Sequence, residues 1–268
     1  MRAKMGKLYR ILVDLYSLPK AITRIESQLR NITLPPIERY VLLSGVYNQN
    51  GLFHPSYEDW RIKRINKIFE MYGIDYFKNK NILELGGGHG DIGAFLAELG
   101  ANVVCLDGRK QNVIFANLKH RKVNNLKCLQ FNLEDDFSEF GRFDLIINFG
   151  LIYHLKNVDK HLNCCFKMSD DIFLETVVSD STDPYKIFYV KENINKDEEA
   201  LEGTGSRPSP FYIERIAQEN NFEAIRYFSA DLNSGVFVYD WPHRNDNRLG
   251  ENWRLRRFWR LKKMVTST

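Results

Sequence analysis

Asn81-Ile-Leu-Glu-Leu-Gly-Gly-Gly-His-Gly-Asp-Ile-Gly93 is the stretch on which the reading of this chain turns. Ile82–Leu85, apolar but for Glu84, has the length of a short buried strand, and the apolar residues of Asp91–Leu99 fit a helix. A strand that passes through glycines into a helix carries bare backbone to the carboxyl end of a sheet, where a ligand can approach it. Two spacings overlap here. Gly86-x-Gly88-x-Gly90 follows the strand directly, with Glu84 two residues before it, whereas Gly88-x-Gly90-x-x-Gly93 has the spacing of a dinucleotide loop. The second starts two residues late, and it puts Asp91 in the first helical turn, where a diphosphate would lie. Two negative groups oppose each other at one helix N-terminus. A glycine turn with a purely structural purpose is the third reading.

Outward from this stretch the alternation continues. Asn102–Leu106, Lys127–Phe131, Phe143–Asn148 and Ile172–Val178 read as strands, with helices over about Gln111–His120 and Val158–Met168. Strands alternating with helices predict an α/β fold, a mostly parallel sheet covered on both faces. Residues 179–208 read as a loop, followed by a helix near Phe211–Asn220. Glu223–Phe228 and Gly235–Asp240, joined by residues 231–234, predict an antiparallel hairpin at one sheet edge.

The ends differ from this middle. Of the chain's 268 residues, 38 are Lys or Arg and 34 Asp or Glu; residues 1–30 hold seven basic and two acidic residues, and residues 244–268 eight and two. The middle is therefore acidic between two basic ends, a distribution that suits an anionic partner, RNA or an anionic membrane surface, or simply solvated helix faces. Ile11, Leu15, Leu18, Ile22, Ile25 and Leu29 recur at helical spacing, and Asp14 interrupts the apolar run that a signal peptide would need. Ser56 with Asp59 resembles a capping box opening a helix through Trp60 and Phe69. The C-terminal Trp253, Arg254, Arg256, Arg257, Phe258, Trp259 and Arg260 interleave aromatic and basic residues and read as a basic aromatic helix. The terminal helices could also meet in a homodimer. This gives a helical extension over 1–75, a core over 76–242 and a C-terminal helix over 243–268. An apolar fraction of 44% excludes a disordered chain, and no apolar run reaches the ~18 residues of a membrane span. Four cysteines without paired spacing argue against a disulfide framework or a zinc site and suit a cytoplasmic setting, peripheral to a membrane if the basic ends bind one.

A ligand that carries an ammonium and a sulfonium and no phosphate meets no conflict at Asp91, and S-adenosylmethionine is such a ligand. Asp107 closes the second strand 17 residues after Gly90, where an acid can accept both ribose hydroxyls, a role shared with nicotinamide sites. Residues 81–178 resemble a class I S-adenosylmethionine-dependent methyltransferase core. The resemblance rests on Glu84–Gly90, Val104–Asp107, Phe131-Asn-Leu133, Phe143–Gly150 and Leu151-Ile-Tyr-His-Leu155. It implies a Rossmann-like seven-stranded sheet with an antiparallel edge strand and a cofactor site at Glu84, Gly86, Gly88, Gly90, Asp107, Asn132, Leu133, Asn148 and Gly150. Phe149–His154, Leu174–Val178 and Arg207–Asn220 are similar to bacterial tRNA wobble-uridine carboxymethyltransferases; related cores occur in polysaccharide and natural-product methyltransferases.

Methyl transfer to a hydroxyl needs alignment of the reactants and a base for the hydroxyl proton. His154, following the fourth strand, is the first candidate base and Glu175, at the end of the fifth, the second; either can instead be a hydrogen-bonded part of the wall. Tyr47, His54, Tyr57, Arg207 and Tyr212 are candidate acceptor-binding residues. His154 and His161 lie seven apart, too far to share an ion on one helix, and no metal is expected. The expected activity is O-methylation of a small molecule or glycan precursor. RNA modification, an inactive cofactor-binding module and a nicotinamide-dependent oxidoreductase are the alternatives.

Overall fold

The computed structural model describes residues 56–196, 199–234, 237–247 and 255–265. Nine strands and five α-helices are named here in chain order. They are α1 (Ser56–Tyr72), β1 (Asn81–Leu85), α2 (Asp91–Glu98), β2 (Asn102–Asp107), α3 (Lys110–Lys119), β3 (Leu126–Gln130) and β4 (Leu145–Phe149). There follow α4 (Val158–Met168), β5 (Asp171–Val177), β6 (Ile187–Lys191), β7 (Thr204–Pro208), α5 (Pro210–Glu219), β8 (Phe222–Tyr227) and β9 (Arg256–Lys263).

Seven strands form one sheet in the order β3-β2-β1-β4-β5-β9-β8. The first five are parallel, and β9 is antiparallel to both β5 and β8. The order reverses between β1 and β4, so their carboxyl ends open a crevice of the kind that holds ligands in doubly wound sheets. Both faces of the central strands are covered, which is why β4 and β5 are buried along their whole lengths, the polar Asn148, Asp171 and Glu175 included. On one face Leu83, Ile146, Ile172 and Leu174 pack with Leu162 and Cys165 of α4 and Ile213 of α5. On the other, Tyr72 of α1 meets Phe173 edge-on at 6.1 Å, and Phe149 and Phe258 lie 5.5 Å apart.

Three expectations are corrected. The basic C-terminal stretch is a strand, not a helix, and it supplies the antiparallel partner expected from Gly235–Asp240. In β9 side chains alternate across the sheet, and both sets are buried at its start. Arg256 bonds Glu175, Arg260 and Lys262 bond Asp171, Lys263 pairs with Asp170, and Arg257 donates to the carbonyls of Tyr239 and Trp241. Apart from Arg257, these charges, which suggested a solvated or ligand-binding face, are matched by acids in β5 or next to it. Residues 237–240 make only isolated bridges, Ser234 with Phe237 and Val238 with Leu255. Finally, the segment read as the loop 179–208 holds a hairpin, β6 paired with β7 from Ile187–Pro208 to Lys191–Thr204. The N-terminal helix reading and Trp253 lie outside the described residues, as do Tyr47 and His54; Tyr57 falls in the first turn of α1.

Candidate active site

Gly86, Gly88 and Gly90 all have positive φ, +67°, +56° and +68°, a region that costs a side-chain-bearing residue ~1–2 kcal/mol. Gly87 has no room for a side chain, since a Cβ there would run into Cys105 Sγ and stand 2.9 Å from Glu84 Cδ. The loop's amides are largely used within the protein. Gly86 N–H donates to Leu106 O (2.8 Å), Gly90 N–H to Gly87 O (2.9 Å) and Gly88 N–H to Asp107 Oδ2 (2.9 Å). Gly93 N–H donates to Glu84 Oε2 at 2.9 Å, so Glu84 caps the first turn of α2 from the strand below it. A phosphate-binding loop points its amides outward at an anion; here carboxylates already receive two of them. Burial raises Glu84 to about 7, against the pull of the Cys105 thiol and the Gly93 amide.

Asp107 is 8% exposed at the end of β2, with Oδ1 receiving Arg109 N–H (2.9 Å) and Asn112 Nδ2 (3.2 Å). Burial raises its pKa, and these two donors and the Gly88 amide oppose that rise. A carboxylate at this rim suits a vicinal diol and repels a phosphate. Asp91 is buried with Arg61 Nη1 at 3.0 Å, Lys119 Nζ at 2.6 Å and His120 Nε2 at 3.1 Å. Burial alone would raise it, but His120, Arg61 and Lys119 hold it far below the carboxylate range. Its charge is thus balanced. The occupied amides of Gly88 and Gly93 disfavour a diphosphate more than repulsion by Asp91 does.

The other residues of the predicted cofactor site divide. Asn132 Nδ2 donates to Glu202 Oε1 (3.1 Å), and Leu201 lies over Gly108, so residues 199–203 rest on the carboxyl ends of β2 and β3. Arg109 ties the same segment down through the carbonyls of Ile194 and Glu199. Leu133 is buried and its carbonyl accepts from His161 Nδ1 (3.1 Å), whose Nε2 accepts from Asn148 Nδ2 (2.8 Å). Asn148 therefore points its side chain into the core beneath α4. Gly150, at φ +70°, faces Trp60, whose ring would stand 3.2 Å from an added Cβ.

His154 closes a single 3₁₀ turn, Ile152–His154, just beyond β4. Its Nδ1 lies 2.6 Å from Glu192 Oε2, and Arg207 Nη2 donates to Glu192 Oε1 at 3.2 Å. Two sequence-predicted residues, His154 and Arg207, are thus joined by a third that sequence reasoning missed. Burial lowers His154, Glu192 raises it, and Arg207 and Arg256 lower it further, leaving the ring neutral at neutral pH. Burial works to raise Glu192, but the bonds from His154, Ala200 and Arg207 hold it below its usual value.

Glu175 is fully buried between Arg256 Nη1 (2.7 Å) and Arg64 Nη1 (3.2 Å), and Tyr239 Oη donates to it at 3.1 Å. Arg64 in turn stacks on Trp60 at 3.5 Å. Tyr212 lies elsewhere, with its hydroxyl on Asp159 of α4. Glu192, Arg64 and Tyr239 carried no local signal: each reaches the site across more than 35 residues of sequence.

Residues 83–170 match the protein family described as a methyltransferase domain. Curated relatives include ubiquinone biosynthesis O-methyltransferases. That of Mesorhizobium japonicum is 28% identical over 53% of this chain and 61% of its own, and that of Pelagibacter ubique 27% identical over 56% and 67%. The chain thus spans roughly three-fifths to two-thirds of the length of these relatives. Among solved structures, the N-terminal domain of EvdMO1 with S-adenosylhomocysteine bound has a TM-score of 0.58 at 18% identity, covering 77% of this chain and 81% of that one. A structure described as a putative S-adenosylmethionine-dependent methyltransferase from Listeria monocytogenes has a TM-score of 0.52 at 14% identity, covering 76% and 100%. The fold is the Rossmann-like fold of these methyltransferases.

Proposed function

We propose that this chain, whose residues 83–170 match a methyltransferase domain, is a class I S-adenosylmethionine-dependent methyltransferase that transfers a methyl group from S-adenosylmethionine to an oxygen of a small molecule. One observation carries the cofactor: the glycine loop gives its amides to Asp107 and Glu84 and so offers no cradle for a diphosphate. Asp107 is the residue to hold the ribose hydroxyls, with the bare backbone of Gly86–Gly90 beside the methionine part. When bound, the cofactor supplies a methyl group already activated on a sulfonium. The chain's own residues align the acceptor, exclude water and remove its proton, and His154, neutral and beyond the end of β4, is the group we assign to the proton.

The names of the curated relatives support oxygen as the methylated atom and a small molecule as the acceptor. The burial of Arg256 on Glu175 and of Arg257 on the carbonyls of Tyr239 and Trp241, and the pairing of Arg260 with Asp171, weigh against RNA as the partner. Four free, buried cysteines suit the reducing cytoplasm, and among the described residues no helix is long and apolar enough to cross a membrane.

Methyl-labelled S-adenosylmethionine incubated with the protein and a panel of hydroxylated small molecules tests the assignment. Label should enter an acceptor as an ether in a protein-dependent way. Label found only in RNA, or in no acceptor although the cofactor binds, speaks for the RNA or the inactive-module reading.

A further inference from the structure

The β6–β7 hairpin sits outside the main sheet, yet it reaches the turn that carries His154. Ser206 Oγ donates to Ile152 O (3.2 Å) and Arg207 Nη1 to Tyr153 O (2.9 Å), so β7 is bonded to that turn on two consecutive carbonyls. Gly205, between Thr204 and Ser206, has no side chain because one would stand 2.5 Å from Tyr153 O and collide with the Glu192 carboxylate. The hairpin is thus shaped to press Glu192, just past the end of β6, against His154.

Glu192 is bound on both oxygens. Oε1 receives Arg207 Nη2 (3.2 Å), while Oε2 receives Ala200 N–H (2.7 Å) and faces His154 Nδ1 at 2.6 Å. A carboxylate held by a guanidinium and an amide is an ionised acceptor, so the hydrogen of this short contact belongs to Nδ1. That fixes the tautomer: the ring's lone pair is on Nε2. It also decides how the charge changes when the ring takes a proton, because the imidazolium forms beside a carboxylate. Arg207 works in the other direction and keeps Glu192 from accepting the proton itself.

We propose that Glu192 is a positioning residue, orienting His154 and holding its hydrogen on Nδ1 so that Nε2 is the atom that accepts the acceptor's proton. The proposal rests on the methyl-transfer reading for its last step and on geometry for the rest. The Glu192→Gln variant keeps the size and can still bind Arg207, but its amide can turn a donor toward Nδ1, which places the ring hydrogen on Nε2.

The test is nitrogen-15 NMR of the His154 ring in the whole protein, joined to the pH dependence of turnover. The wild type should show hydrogen on Nδ1, and Glu192→Gln should show it on Nε2 or as a mixture. In the same variant kcat should fall by about 10²-fold, near the lower bound for loss of general-base assistance, with its acidic limb moved to lower pH. The KM for the cofactor should stay within about twofold, as expected when an interaction used only in the chemical step is lost. Glu192→Asp should recover part of kcat. A merely structural Glu192 would lower the melting temperature and leave tautomer and pH limb unmoved, and that result overturns the proposal. So does an Nε2–H tautomer in the wild type, a readout that needs neither the variant to fold nor any acceptor. The ring signals therefore separate this proposal from the methyl-transfer reading, which fails on labelled product alone.

Discussion

Glu84 Oε2 accepts the Gly93 amide at 2.9 Å and would stand only 2.6 Å from a Cβ at that position. One carboxylate thus caps α2 and dictates that its third residue be glycine. Gly93→Ala gains helix propensity, about 1 kcal/mol, but must displace Glu84 or press on Leu126 and Val103, each 3.1 Å away. Overpacking of this kind costs ~1–3 kcal/mol. We expect a net loss, read as a lower denaturant midpoint, together with weaker binding of S-adenosylhomocysteine as the loop shifts.

The same carboxylate gives the protein a pH signature. Glu84 is raised from 4.5 to about 7, so the folded state holds a proton that the unfolded state releases between those values. Its contribution is fully present below 4.5 and is lost as pH rises through 7. His161 is lowered from 6.5 to about 4 by burial, so its contribution is present above 6.5 and is lost as pH falls toward 4. Glu84→Gln and His161→Gln should therefore change the slope of stability against pH in opposite senses, measured by urea unfolding between pH 4.5 and 7. Equal slopes in both variants would contradict the burial of these two groups.

Asp107 receives three N–H donors, and one of its oxygens cannot accept once it becomes an amide nitrogen. Asp107→Asn should weaken S-adenosylhomocysteine binding by roughly 10- to 100-fold, the ~1.5–3 kcal/mol of a charged hydrogen bond. Titration calorimetry reads this directly. An unchanged dissociation constant would remove Asp107 from the cofactor site.

Glu175 and His154 were both candidate bases, and their surroundings separate them. Glu175 lies between Arg64 and Arg256 with no exposure, so Glu175→Ala leaves two buried guanidiniums facing each other and should cost about 3–5 kcal/mol of stability. His154→Ala should unfold near the wild-type midpoint while turnover falls by about 10²–10⁴-fold. Chemical denaturation beside steady-state kinetics distinguishes the two. A stable, inactive Glu175→Ala would reverse the assignment.

The sequence was most legible where the chain is parallel sheet. Between Asn81 and Val177 the strands and helices fall within a residue or two of where apolar runs and glycines predict them, because the central strands are buried on both faces and bounded by turns, while the edge strand β3 is buried only at Cys128. β9 was not legible. Its arginines and lysines look solvent-bound until Asp171 and Glu175 of β5 are set beside them, and that pairing spans more than 80 residues. β7, Thr204-Gly-Ser-Arg-Pro208, has little strand propensity of its own and exists as a strand through its pairing with β6. The candidate site divides in the same way. Gly86, Gly88, Gly90 and Asp107 announce themselves by spacing, whereas Glu192 becomes visible only when the hairpin folds it onto His154.

Calorimetric titration of the protein with S-adenosylhomocysteine and, separately, with NAD tests the central assignment most directly. Saturable one-to-one binding of S-adenosylhomocysteine, abolished or much weakened in Asp107→Asn and absent with NAD, is the predicted result. Binding of NAD with none of S-adenosylhomocysteine would mean that the loop from Gly86 to Gly93 receives a diphosphate after all, and the assignment would fall.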